Sequence, residues 1–306
     1  MLADAECCCF WRVVMMPERA LISGGAGWKD LRRVARPEVT FNVAEHPGDA
    51  GLFGPGSETW TLFGGRTTTL AAIRSVWLQS LHPSILDAVV IAGRFSQDPT
   101  KRVLTTASWV NTVVFGSKPE AVGACLMLNR VHSRISGVRS DGVAYRANDP
   151  RLLLWVHLAL VESLLVCHST FASGEIDQDR FVSEWATVAH MIGVTQPPVS
   201  VAGMHAAIAS FSTELELSEL AVAACASVAA YNVPFPATFV LRCGVGAVAR
   251  TLPDQYSALV PCGTNSDVAV CRSMVRALAS LRHPLVNAAT IRAATNGRSL
   301  SGLGSK

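Results

Sequence analysis

Hydrophobic and polar positions repeat with the period of an α-helix over most of the chain. Three of these segments share one order: a capping residue, then a proline, then an apolar stripe, then a glycine. A side-chain acceptor before a proline is typical of a helix start, and a glycine is typical of a helix end. The predicted helices run over 99–116 with Asp98 as N-cap, over 119–137 with Ser117 or Lys118, and over 150–174 with Asp149.

Further segments follow the same period. Residues 66–81 predict a helix that runs into His82-Pro83, residues 84–95 continue after it, and residues 175–194 are amphipathic. Short apolar runs do not separate strand from buried helix, so two segments stay ambiguous. These are 59–65, read as a short strand or a turn, and 236–246.

The sum of these elements predicts an all-α protein with a single helical domain over residues 46–285. Residues 1–45 form an irregular N-terminal segment, and residues 286–306 form a C-terminal tail. Strand signals are few, and no internal repeat is visible. A chain of 306 residues is long enough to bury a large core.

The composition is apolar for this length. Hydrophobic residues make up 50%, charged residues make up only 16%, and the mean hydropathy is +0.32. Such a chain buries much of itself, encloses an apolar ligand, or contacts a membrane peripherally. The uncharged run 220–241 is long enough to span a bilayer, but Pro234 and Pro236 favour a buried helix broken at the prolines. The net charge of +3 is scattered, which argues against a nucleic-acid partner.

Cysteine usage indicates a reducing compartment. The nine cysteines include the consecutive Cys7, Cys8 and Cys9, and no secretory leader precedes them. We therefore expect a cytoplasmic protein, with membrane association left open by its composition. The chain has no CxxC or CxxCH motif, so a covalently attached c-type haem is excluded. GxSxG, P-loop, HExxH and ExxH motifs are also missing, and the lone "SGGAG" is a weak dinucleotide signal.

His132 is the first candidate for chemistry. Leu128 and Cys125 precede it by four and seven residues, and Ile135 follows it by three, so His132 lies on the apolar stripe of its helix. A neutral imidazole on a dry helix face is a good iron ligand. A core histidine bonded to a carbonyl or carboxylate fits the same pattern, and the spacing alone leaves both interpretations open.

Four other residues are weaker candidates. Arg102 and Thr106 share a helix face and suit an anion, a haem propionate or a bound dioxygen, although a solvated arginine fits equally. His157 lies in an apolar helix that also contains Glu162, and a buried histidine or glutamate needs a partner. His82 is explained by a cation at the end of its helix.

The ordered motifs as a set resemble the DUF2236 family, which includes the fungal MpaB-type oxygenases and the catalytic domain of latex-clearing rubber oxygenases. The resemblance covers roughly residues 60–200. Its motifs are HP, DPxxR, RxxxT, VHxxxxG and YxAxDPxLLLWVH, in the strings "LQSLHPSILDAVVIAGRFSQDPTKRVLTTASWVNTVVFG", "NRVHSRISGV" and "AYRANDPRLLLWVHLALVESLL".

The resemblance implies a globin-reminiscent bundle around a haem pocket and an oxygen-dependent oxidoreductase. The cofactor it implies is haem b. His132 matches the proximal iron ligand, Arg102 and Thr106 match the pair that flanks the haem, and His157 matches the histidine of the WVH motif. The implied partners are O2, which binds the iron held by His132, and an apolar alkene, either prenylated or isoprenoid.

One departure from the rubber oxygenases bears on the chemistry. Those enzymes have a lysine just before the threonine of RxxxT, and this chain has Thr105 there, so ligation by a distal lysine is not supported. The alternatives are a non-catalytic helical lipid- or haem-binding sensor and a family member that has lost the iron. The sequence identifies neither the substrate nor the oligomeric state.

Overall fold

A computed structural model describes residues 41–42, 45–46, 48–90, 99–229, 237–260 and 265–280. The "SGGAG" patch, most of the N-terminal segment, Asp98 and the C-terminal tail lie outside the described residues. The elements are α1 (Glu58–Gly64), α2 (Thr68–Gln79), α3 (Pro83–Val90), α4 (Pro99–Phe115), α5 (Lys118–His132), β1 (Ser136–Val138), β2 (Ala144–Arg146), α6 (Pro150–Phe171), α7 (Gln178–Ile192), α8 (Val201–Ala209), α9 (Glu219–Ala229), α10 (Ala237–Ala249), the 3₁₀-helix Asp254–Leu259, and α11 (Asn265–Ser280).

The described chain is mostly helical, so the all-α prediction is confirmed. Local capping explains where several helices begin. Ser117 and Glu120 form a reciprocal capping box at the start of α5, and Asp149 accepts a hydrogen bond from the Arg151 amide at the start of α6. Each cap satisfies amide groups that the first helical turn leaves without partners.

The centre of the fold is the packing of α6 against α2. Trp77 on α2 and Trp155 on α6 are fully or almost fully buried, and Trp155 Nε1 donates to the Leu78 carbonyl at 3.1 Å. Helices α1, α7, α8 and α11 pack around α6, while α9 and α10 pack against α2. The site-bearing helices α4 and α5 lie between these two central helices in the sequence.

A buried ion pair joins α2, α6 and the segment after α10. Arg74, with 1% of its side chain exposed, binds both carboxylate oxygens of Glu162 and donates to the Ser163 hydroxyl. It also donates to the Thr251 carbonyl and hydroxyl. Glu162 thus has the partner that its apolar surroundings require, and this partner is structural.

Two predicted elements were wrong. Residues 59–65 belong to helix α1 and its C-cap, where Thr59, Trp60, Leu62 and Phe63 are buried, so neither the strand nor the turn interpretation holds. The helix predicted to end at Gly137 ends at His132, and the chain continues into an antiparallel pair of short strands. The ambiguous segment 236–246 falls mostly within helix α10.

The uncharged run 220–241 begins within α9 and reaches into α10, while residues 230–236, with both prolines, lie outside the described residues. By length and composition only, α6 is the single helix in the described ranges that could cross a membrane. Its most apolar window has a mean hydropathy of 1.7 and is 67% buried inside the protein. Its place at the centre of the fold explains that hydropathy.

The segment before α1 contacts the start of α5. Phe41 is 6% exposed and belongs to the core, and the Asn42 amide donates to Glu120 Oε1 at 2.7 Å. The Lys118 amide donates to Asp49 Oδ2 at 3.2 Å. Asn42 and Asp49 therefore hold the start of α5.

Candidate functional site

Helices α4 and α5 form an antiparallel pair joined by the tight connection at Gly116 and Ser117. A hydrogen bond across the pair sets its register, because Trp109 Nε1 on α4 donates to the Ala124 carbonyl on α5 at 3.1 Å. Eight residues beyond Ala124 is His132, and eight residues before Trp109 is Lys101. His132 therefore lies toward the end of the pair at which α4 begins.

This register brings three sequence-predicted positions to one end of the pair. Arg102 lies in the first turn of α4 and Thr106 one turn further along, so both lie toward the end of the pair at which α5 ends. Arg102 is placed here by its backbone, and its side chain lies outside the described residues. The motifs RxxxT and VHxxxxG are therefore neighbours across two helices.

The α4–α5 pair is buried near its connection and more exposed at the end that contains His132. We call this exposed end the open end. Val113, Thr106 and Thr105 lie on one side of α4, because they are separated by seven and eight residues. Val113 is fully buried, whereas Thr105 and Thr106 are exposed. The packing that covers Val113 is thus absent two turns earlier, on the side of α4 that carries Thr105 and Thr106.

His132 is the last residue of α5 and is half-buried. One turn earlier, Asn129 Nδ2 donates to the Met191 carbonyl at the end of α7, at 3.0 Å. Cys125, two turns before His132, is 1% exposed, and burial raises the pKa of its thiol to about 11. The inner side of α5 therefore carries a neutral thiol and His132, and α7 holds the last turn of the helix through Asn129.

A short β-hairpin leads from His132 back to α6. The Ala147 amide donates to the Ile135 carbonyl at 2.9 Å, and Gly137 pairs with Tyr145 across the two strands. A Cβ atom added at Gly137 would lie 2.5 Å from the Tyr145 hydroxyl oxygen. The glycine of VHxxxxG is thus required by the tyrosine of YxAxDP and does not end a helix.

This contact predicts opposite effects for two glycine substitutions. We expect Gly137→Ala to lower the free energy of unfolding by about 1–3 kcal/mol, because Tyr145 must shift to accommodate the methyl group. Gly123→Ala is the matched control within α5, where no atom lies within 4 Å of the added Cβ, and helix propensity favours alanine by about 1 kcal/mol. Urea denaturation measures both, and a neutral Gly137→Ala would contradict the close approach.

His157 lies in the second turn of α6 and is 3% exposed. Its Nε2 atom is buried and has no hydrogen-bond partner among the described residues. Burial, and secondarily the charge of His190 on α7, lowers the pKa of His157 to about 3. The imidazole is therefore neutral near neutral pH and has a ring nitrogen available to a ligand.

His157 and His132 approach the end of α7 from different helices. Leu153, one turn before His157, lies 3.4 Å from the position of a Cβ added at Gly193, which ends α7. Asn129 on α5 contacts Met191 in the same last turn. The end of α7 thus adjoins both histidine-bearing helices.

His82 lies elsewhere, and its predicted role as a cation at a helix end was wrong. Helix α2 ends at Gln79, and His82 is 5% exposed in the wall of a polar cavity of about 570 Å³. Its Nε2 lies 3.6 Å from Glu214 Oε2, while Arg151 holds the other Glu214 oxygen. Burial is the main cause that lowers the pKa of His82, which favours the neutral ring.

Sequence reasoning missed the residues that position the site. Trp109 fixes the register of the α4–α5 pair, Asn129 ties α5 to α7, and Tyr145 orders the hairpin. Asn129 carried a usable signal, since an amide three residues before His132 on a mostly apolar helix needs a partner. The contacts of Trp109 and Tyr145 depend on tertiary packing.

A comparison with protein families matches residues 60–281 to the domain described as "ER-bound oxygenase mpaB/B'/Rubber oxygenase, catalytic domain". The match spans more than two thirds of the chain. This chain belongs to that family. No curated protein and no solved structure matches it.

The mpaB/rubber oxygenase family is a family of oxygenases, so the chain has an oxidoreductase domain that takes a small molecule and O2. The matched range contains both helices of the α4–α5 pair, the hairpin and α6. Within the described ranges, no group of three or more His, Cys, Asp or Glu side chains could hold a metal ion. A prosthetic group bound through a single histidine needs no such cluster.

The residues at the open end of the α4–α5 pair fit a haem. A haem held without covalent attachment needs an imidazole that can bind its iron and surroundings that are largely apolar and uncharged. The half-buried His132 at the open end offers the imidazole, and His157 on α6 is neutral and has a free Nε2.

Proposed function

We propose that this protein is a haem b-dependent oxygenase that acts on an apolar alkene, prenylated or isoprenoid in character. The observation that carries the proposal is the register of the α4–α5 pair, which brings Arg102, Thr106 and His132 to the same open end. Family membership supports the oxygenase chemistry. The cofactor, the ligand and the substrate class are the proposed parts.

His132 would hold the iron through its imidazole, and the bond between Asn129 and the Met191 carbonyl would fix the last turn of α5 while it does so. Arg102 would bind a propionate, because a guanidinium at a helix start suits a carboxylate. When bound, haem b supplies the binding and activation of O2. The protein supplies orientation, charge and the exclusion of water.

Thr106 and His157 would supply two different polar contacts. The exposed Thr106 offers a hydroxyl as a hydrogen-bond donor toward the open side of the pocket. His157 stays neutral, so it places no second cation in an apolar pocket, and its Nε2 would hydrogen-bond the cofactor or substrate. Thr105 at the position of the rubber-oxygenase lysine leaves that side without an amine ligand.

The proposal is tested by haem binding. Protein expressed with haem supplied is expected to retain a Soret band after desalting, and His132→Gly is expected to lose it and regain it with added imidazole, because the free ligand replaces the missing ring. The matched control is His205→Ala, which changes an exposed histidine on α8 and should keep the band. Circular dichroism confirms that each variant is folded.

Other outcomes separate the alternatives. A colourless, folded wild-type protein would contradict haem binding and favour a family member without iron. Loss of the band in His157→Gln but not in His132→Gly would reassign the ligand. If the holoprotein consumes no O2 with prenylated or terpenoid alkenes, a haem-binding sensor replaces the enzyme.

A further inference from the structure

The outer face of α5 is apolar, basic and exposed. It consists of Leu126, Met127, Arg130 and Val131, with Arg134 just beyond the helix end, and we call it the α5 outer face. The exposed fractions are 54% for Leu126, 65% for Met127 and 41% for Val131. Spacings of one, four and five residues place these side chains in one continuous strip.

This strip is turned away from the core. On the inner side of the same helix, Cys125 is buried, Leu128 packs against the core, and Asn129 bonds to α7. The inner side therefore carries the contacts that hold α5 in the fold, and the apolar side chains of the α5 outer face do not belong to the described side chains packed against the core. Exposed apolar side chains that cluster in this way mark an interaction surface.

The charged side chains of α5 beyond its first turn, and those just after the helix, are all basic. Residues 121–140 contain three arginines and no aspartate or glutamate. Arg139 is paired with Asp141, but Arg130 and Arg134 are exposed and form no ion pair with any described residue. Of the ten large hydrophobic side chains exposed in the described ranges, five lie between residues 126 and 143.

We propose that the α5 outer face docks on a bilayer surface that contains anionic lipids. Leu126, Met127 and Val131 would enter the interface between headgroups and acyl chains, while Arg130 and Arg134 would contact the lipid phosphates. Unpaired arginines beside exposed aliphatic side chains match the charge and polarity of such a surface. The orientation turns the inner side of α5, with His132, toward the protein and the outer side toward the lipid.

Docking of this kind has a use at the proposed site. An apolar substrate dissolves in the bilayer, and the open end of the α4–α5 pair lies on the helix that would rest on it. The lipid contact itself needs neither haem nor catalysis. A failure of the docking proposal is therefore distinguishable from a failure of the proposed function.

The experiment is co-sedimentation of the full chain with phosphatidylcholine vesicles, with and without phosphatidylserine as about one third of the lipid. We expect binding to the anionic vesicles that falls as salt is added. Arg130→Gln with Arg134→Gln should weaken the partition coefficient by about thirtyfold, because each arginine near an anionic surface contributes about fivefold. Met127→Ser with Val131→Ser should weaken binding to the same vesicles at every salt concentration.

A matched control uses exposed residues of the same types elsewhere. Arg250→Gln with Arg276→Gln removes equal charge from other elements, and Val199→Ser with Val270→Ser removes two apolar side chains with exposed fractions similar to those of Met127 and Val131; both should leave binding unchanged. Equal losses in the control and α5 variants would overturn the assignment of the surface. Binding to neither vesicle, or a dimer in solution that Met127→Ser disrupts, would overturn the lipid partner.

Discussion

Arg74→Ala is expected to lower the free energy of unfolding by about 3–5 kcal/mol, the range for removing one partner of a buried ion pair. All five N–H groups of the Arg74 side chain have an acceptor, supplied by Glu162, Ser163 and Thr251. Removing the guanidinium leaves the Glu162 carboxylate, 16% exposed, without its counter-charge and breaks the link between α2, α6 and the segment after α10. Urea denaturation followed by circular dichroism measures the loss.

Two controls identify the cause. Arg180→Ala removes an arginine whose side chain is 51% exposed and whose pair with Glu184 lies along one helix, so its cost should stay below about 1 kcal/mol. The double variant Arg74→Met with Glu162→Met should recover much of the lost stability, since apolar side chains of similar volume replace both charges. A double variant as unstable as Arg74→Ala would show that the lost hydrogen bonds to Ser163 and Thr251, and not the stranded charge, explain the loss.

Acid is expected to destabilise this protein well above the pKa range of its carboxylates, because His157 must stay neutral in the fold. Burial lowers the pKa of His157 from 6.5 to about 3, so between these values the unfolded chain binds more protons than the folded one. The stability is complete above pH 6.5 and falls as the pH drops toward 3. The shift corresponds to about 5 kcal/mol over the whole window and about 2 kcal/mol between pH 7.5 and 5.

The test compares wild type with His157→Gln, which has a similar polar side chain and does not titrate. The variant should have a shallower dependence of unfolding free energy on pH over 7.5 to 5, by about 2 kcal/mol across the interval. His82, whose pKa is also lowered by burial, adds a loss of the same sign that remains in both proteins. Parallel pH profiles would mean that His157 is protonated in the folded state.

Helix starts could be predicted from the sequence because capping is local. The starts at Pro99, Lys118 and Pro150 follow from residues within one turn of each helix. The end at Gly137 could not be predicted, because this glycine is required by a contact with Tyr145 across two strands. Residues 59–65 were misassigned because a short apolar run is compatible with either period.

The sequence predicts which residues form the candidate site, and it predicts their arrangement only in part. The motif order pointed to Arg102, Thr106 and His132, and the apolar stripe placed His132 on the inner side of its helix. These residues lie at the same end of the α4–α5 pair because Trp109 contacts Ala124, and no local sequence pattern predicts that contact. The partner of Glu162 lies 88 residues away on α2, so helical spacing could show only that a partner was needed.

The contact between residues 41–49 and the start of α5 bears on how the protein can be shortened for experiments. A fragment that begins at residue 46 would lose the core side chain of Phe41. It would also lose the hydrogen bond that the Asn42 amide donates to Glu120. Both losses fall on the capped end of the helix that ends at His132. Fragments made for spectroscopy or crystallisation should therefore begin upstream of Phe41.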